Sequence, residues 1–364
     1  MQNHSVIYPL PFNTEFSREI GGLFIAGFEG KKARGEVVKA VRGGLGGVIL
    51  FPRNLGSPKE ILALTNGLQE EAGEIPLLIS IDQEGGRVAR LKAPFTEFPP
   101  MAALGMRNDP ELARMAGQAI ARELKAVGIN LNFAPVLDLD TPGKDAVIGD
   151  RSLGADPEKI SVICKAFIEG MQAEGVAACG KHFPGHGMTD RDSHKELPEV
   201  YISRDEIKPH LAPFAAAIGS DVASIMTAHI RCHTFDRYHP ATLSRELLTG
   251  VLRSEMGFKG VIITDDMGMK GVADLLPAQD AAPLALRAGA DMLLIAHDLG
   301  LAGILRDSVH ESVRHMLLDP DDIMDKIERV NAMRKKFAPS KSRPALGVIG
   351  CREHRELVHE IAKC

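Results

Sequence analysis

Cysteine is scarce in this sequence, and what there is follows no pattern. Its five cysteines (Cys164, Cys179, Cys232, Cys351 and Cys364) are odd in number and lack CxxC spacing. Neither a disulfide framework nor a structural zinc site is indicated, and a reducing compartment fits best. Neither sign of charge dominates: 43 basic against 48 acidic residues give a formal net charge of -5. No basic face for nucleic acid follows from such a balance. No apolar run reaches membrane-spanning length. Met1 to Arg18 lacks a basic segment followed by a long apolar core, so no secretion signal is expected. Aromatics are few, with no tryptophan, three tyrosines and fourteen phenylalanines. What remains is a chain of 364 residues, 45% hydrophobic, enough for a sizeable core in one large domain or two smaller ones. A cytoplasmic globular protein is expected.

Eight short apolar runs recur along the chain. They are Leu23–Gly27, Gly47–Phe51, Leu77–Asp82, Ile129–Asp138, Val176–His182, Val222–His229, Gly260–Asp265 and Asp291–Ala296. Amphipathic stretches separate them, which predicts parallel strands covered by helices. Asp109 to Val127 reads as a helix, with Pro110 in its first turn and Gly128 at its end. Ser244 to Met256 reads as another, with Ser244 as N-cap. Eight such units predict an α/β fold, a single-domain (β/α)8 barrel of the TIM type over residues 1–338. Residues 339–364 read as a C-terminal tail or an appended helix. A doubly wound open sheet is the runner-up, but no GxGxxG follows the first run.

Polar residues fall at informative places. Asp82, Asp138, His182, His229 and Asp265 each close a predicted strand. In a barrel those ends converge on the face that carries the active site. Lys181 to Gly187 (KHFPGHG), followed by Asp192, Ser193 and His194, packs three histidines into a segment that proline and glycine keep out of a helix. A carboxylate bonded to an imidazole orients the ring and raises its basicity, so Asp192 and His194 read as a proton-transfer pair. His182 and His186 have the i, i+4 spacing of a helical metal pair, but Pro184 and Gly185 stand between them, so no metal is expected. Of the adjacent acids after the seventh run, Asp265 reads as nucleophile or charge stabiliser, and Asp266 as a cap for the next helix. The loop Asp82 to Arg90 offers an acid that accepts from hydroxyls and Arg90 as a clamp; Arg87 fits a structural ion pair equally well.

These motifs resemble glycoside hydrolase family 3, in its single-domain bacterial β-N-acetylglucosaminidase form. The resemblance spans roughly residues 20–300. It rests on IDQEGGRVARL (81–91), NFAPVLDL (132–139), IGDRSLG (148–154), KHFPGHG (181–187) with DSH (192–194), MTAHI (226–230), ATLSRELL (241–248), GVIITDDMGM (260–269) and AGADMLL (288–294). It implies that Asp265 is the nucleophile of a covalent glycosyl intermediate, and that His194, polarised by Asp192, is the general acid/base. It also implies that Asp82, Arg90, Arg151, Lys181 and His182 bind N-acetylglucosamine. The implied reaction removes a terminal β-linked N-acetylglucosamine with retention, from cell-wall fragments carrying 1,6-anhydro-N-acetylmuramic acid and its peptides, in the cytoplasm. No cofactor, nucleic acid or membrane is expected, and the chain is expected to be a monomer.

Retaining glycosidases commonly pair two carboxyl groups. A histidine acid/base departs from that, and being neutral once deprotonated it repels an incoming anion less. Phosphate is therefore a conceivable competitor of water. Three further readings stay open: a mechanism assisted by the substrate's acetamido oxygen, a β-glucoside substrate, and a non-catalytic sugar-binding barrel.

Overall fold

All eight apolar runs become strands of one closed barrel. They are β1 (Phe24–Gly27), β2 (Gly47–Leu50), β3 (Leu78–Ile81), β4 (Leu131–Asn132), β5 (Ala177–Phe183), β6 (Ser224–Thr227), β7 (Val261–Asp266) and β8 (Met292–Ile295). Each pairs in parallel with its sequence neighbours, and β8 pairs with β1 to close the ring. The protein is described from a computed structural model, over residues 14–141, 147–189, 193, 196–339 and 343–363.

The strands run apolar on both sides because one side fills the barrel and the other meets the helices. The predicted fourth run is much longer than its strand. Pro135 has no N–H to give to a ladder, and the chain past β4 stays beside β5 through the Cys179 N–H on the Ala134 carbonyl and a bridge between Val136 and Lys181. Helices follow every strand. That over Pro110–Ala126 starts where expected: Asp109 accepts the backbone N–H of Glu111 at 2.9 Å and of Leu112 at 3.3 Å. The helix over Glu246–Glu255 is wound with i→i+5 bonds, and Ser244 Oγ accepts from the N–H of Leu247 ahead of its second turn.

Beyond the barrel, the C-terminal segment forms a helix over Arg352–Ile361. It is tied to the barrel by buried Glu123, which meets His354 Nδ1 at 2.7 Å and accepts the Gly350 N–H at 3.0 Å. No helix among the described residues is long and apolar enough to cross a membrane.

Candidate active site

The C-terminal ends of the strands surround a cavity of about 360 Å³, within the usual range for small-molecule sites. Asp82, Arg90, Arg151, Lys181, His182 and Asp265 all line it. Six residues from β5, β7 and the loops after β3 and β4 are thus brought together. Asp192 and His194 lie outside the described residues. Ser193, between them, is buried; its Oγ lies 2.9 Å from His186 Nε2, and its carbonyl accepts the Gly271 N–H at 3.3 Å. Burial, with His182 close by, pushes His186 down to about 4, so its ring is neutral near pH 7.

The loop after β3 folds into a small ribbon, Gln83–Gly85 against Val88–Ala89, turned by Gly85 and Gly86 at φ 121° and 55°. On an extended chain Asp82 and Glu84 face the same way. Both therefore meet the cavity, while the Gln83 side chain bonds both backbone groups of Leu91 and fixes the ribbon. Asn132 holds the backbone of Gln83 from the other side, with two bonds of 2.9 Å. The result is a network of charges. Lys181 Nζ lies 2.9 Å from Asp82 and 2.7 Å from Glu84; Arg151 grips Glu84 with two bonds of 2.9 and 2.8 Å; Arg90 reaches Asp82 at 3.2 Å. A carboxylate can accept about four hydrogen bonds, so Asp82 retains capacity for hydroxyl donors.

Sequence reading missed Glu84, although its place two residues after Asp82 on an extended segment points to it. It is about 1% exposed and bound to two cations. Burial alone would raise its pKa, but Lys181 and Arg151 outweigh that and draw it from 4.5 to about 2. A depressed carboxylate stabilises the fold above its unfolded value and loses that contribution as pH falls through the folded one. Glu84 is therefore expected to supply on the order of 3 kcal/mol that disappears between about pH 4.5 and 2. Glu84→Gln, which leaves Lys181 and Arg151 short of a counter-charge, is expected to cost about 3–5 kcal/mol at pH 7. Denaturant melts of both proteins between pH 2 and 7 would show the two curves converging at the acid end.

Asp138 also carries more than the sequence assigned to it. It is fully buried, lies 2.7 Å from His182 Nδ1, and accepts the backbone N–H groups of His182 and His186. It fixes the His182 ring, which leaves Nε2 for a ligand. His229, by contrast, closes its strand without lining the cavity: its nitrogens meet Thr242 at 2.8 Å and the Asp266 carbonyl at 2.9 Å. Arg87 pairs with Asp150 at 3.0 Å on the rim.

At the end of β7 the two acids divide their tasks. Asp265 accepts the Asp266 N–H at 2.8 Å. Burial would raise its pKa, but His182, His229 and Lys181 hold it below the usual carboxylate range, so it is anionic at neutral pH. Asp266 does not cap the next helix, which begins at Lys270 behind Met269. Its carboxylate accepts instead from Gly268 and Ala296, each at 3.0 Å, because the turn between brings those N–H groups nearer than the helix end. Among the described residues no three His, Cys, Asp or Glu side chains are grouped to hold a metal ion.

The N-terminal domain of glycosyl hydrolase family 3 matches residues 17–333. The chain belongs to that family. A β-hexosaminidase of Pseudomonas aeruginosa is 42% identical to this family 3 chain over 269 residues, covering 72% of it and 80% of the relative. A solved family 3 β-N-acetylglucosaminidase from a Paenibacillus strain superposes with a TM-score of 0.90 at 37% identity, over 95% of this chain and 68% of that one. NagZ from Neisseria gonorrhoeae, solved with N-trifluoroacetyl-D-glucosamine, gives a TM-score of 0.80 at 32% identity, over 94% and 97% of the two chains.

Proposed function

We propose that this glycoside hydrolase is a retaining exo-β-N-acetylglucosaminidase. The observation that carries the reading is an anionic carboxylate, Asp265, on the wall of a cavity of single-sugar size that also presents fixed donors and acceptors. Asp82, Arg90, Arg151, Lys181 and His182 would hold the hydroxyls of the terminal sugar. Asp265 would attack the anomeric carbon as the glycosidic bond breaks, and His194, oriented by Asp192, would give its proton to the leaving oxygen. The same imidazole would then take a proton from water as water displaces Asp265. The activities of the relatives support the sugar and the reaction.

The finer reading is that the aglycone is a 1,6-anhydro-N-acetylmuramic acid fragment with or without peptide, acted on in the cytoplasm by a monomer. Incubation with N-acetylglucosaminyl-1,6-anhydro-N-acetylmuramic acid, followed by proton NMR, is expected to show the β-anomer of N-acetylglucosamine first. The α-anomer appearing first would refute retention, and an uncleaved disaccharide would refute the aglycone. In phosphate buffer, N-acetylglucosamine 1-phosphate is expected beside the free sugar; its absence would restrict the acceptor to water.

A further inference from the structure

The arc of the cavity formed by β8, β1 and β2 differs from the charged one. Here the wall is Ile49, Phe51, Leu294 and Ala296, with His297 at the rim. Strand β1 ends in Gly27, where an added Cβ would lie 1.9 Å from the Ala296 carbonyl oxygen, so the ends of β1 and β8 meet backbone to backbone. Arg53 fastens this junction. It donates to the Phe28 carbonyl at 2.9 Å and the Ala296 carbonyl at 3.0 Å, and its guanidinium lies 4.7 Å from the Phe51 ring centroid. Its Nη1 also lies 3.1 Å from His297 Nδ1, and the Phe51 and His297 rings pack with centroids 4.7 Å apart.

A guanidinium has donors and no acceptor. The Nδ1 of His297 must therefore accept, and the ring proton sits on Nε2. One oriented N–H donor thus stands beside a small apolar wall. An acylamino group has the matching parts, a carbonyl oxygen that accepts and a short alkyl end. Position agrees as well. C2, which bears the acylamino substituent, is bonded directly to the anomeric carbon, and β8 flanks the strand that carries Asp265. On the other flank, beyond β6, both nitrogens of His229 are engaged within the protein.

We propose that His297 determines specificity for the 2-acylamino group, donating from Nε2 to its carbonyl oxygen while the alkyl end rests against the Phe51 wall. Arg53 is the positioning residue that selects the tautomer. The proposal rests on the N-acetylglucosaminidase reading. The test compares p-nitrophenyl N-acetyl-β-glucosaminide with its N-trifluoroacetyl analogue, whose carbonyl is a weaker acceptor. In His297→Ala, kcat/KM for the N-acetyl substrate is expected to fall about 3- to 10-fold, the scale of one neutral hydrogen bond, mostly through KM. The trifluoroacetyl substrate is expected to lose less, so the preference between the two shifts; Arg53→Met is expected to shift it the same way. His297→Gln, which restores an N–H, is expected to recover part of it. An unchanged ratio in both His297→Ala and Arg53→Met would overturn the proposal. Failure of the wild-type protein to cleave either substrate would instead overturn the activity itself.

Discussion

Asp265→Asn is expected to lower kcat/KM on p-nitrophenyl N-acetyl-β-glucosaminide by on the order of ten-thousand-fold, with the fold retained. Attack on an anomeric carbon needs an electron pair that an amide does not offer. The environment of Asp265 is suited to that attack: His182, His229 and Lys181 overcome the cost of burial and keep the carboxylate ionised. The acid limb of the pH profile is accordingly expected to lie below the ordinary carboxylate value of about 3.9. The fold survives because the bond from the Asp266 N–H to Asp265 Oδ1 can be made equally by an amide oxygen. A melting curve that matches the wild type, together with lost turnover, separates a missing nucleophile from a misfolded barrel. Activity within tenfold of the wild type would contradict the assignment.

His194→Ala carries the second large effect, about 10²- to 10⁴-fold on substrates whose leaving group must be protonated. The size is expected to depend on the leaving group. A 2,4-dinitrophenolate departs without a proton, so the first step should be nearly unaffected and the second should become limiting. Burst kinetics with the dinitrophenyl substrate and slow turnover thereafter are the expected pattern. Asp192→Asn should resemble a milder form of it, since the ring keeps its nitrogen and loses its orienting partner. Equal losses on both leaving groups would mean that His194 holds the structure rather than moving a proton.

The barrel was legible because its physics is local. Each strand is a short apolar run that must be buried on both sides, and a polar residue that closes such a run stands out against it. Asp82, His182 and Asp265 could be read that way, and the structure brings all three to one cavity. What could not be read was partnership across the chain. Glu84 and Lys181 are 97 residues apart in sequence and 2.7 Å apart in space, and no local pattern announces that the first neutralises the second. Asp138 was visible as an acid at a strand end, but its three donors come from the end of β5 and the loop after it, more than forty residues away. The role given to Asp266 failed for a related reason: an N–H that competes for its carboxylate belongs to Ala296, just past the neighbouring strand. The Phe51, Arg53 and His297 wall lay beyond reach altogether, since it exists only where β8 closes on β1, which β2 flanks on its other side.

The most direct measurement is covalent trapping. Wild-type protein incubated with a fluorinated N-acetylglucosaminyl fluoride, digested and analysed by mass spectrometry, is expected to carry one sugar, on the peptide and side chain of Asp265. A sugar on any other residue, or turnover through an oxazoline with no labelled peptide, would contradict a glycosyl–Asp265 intermediate.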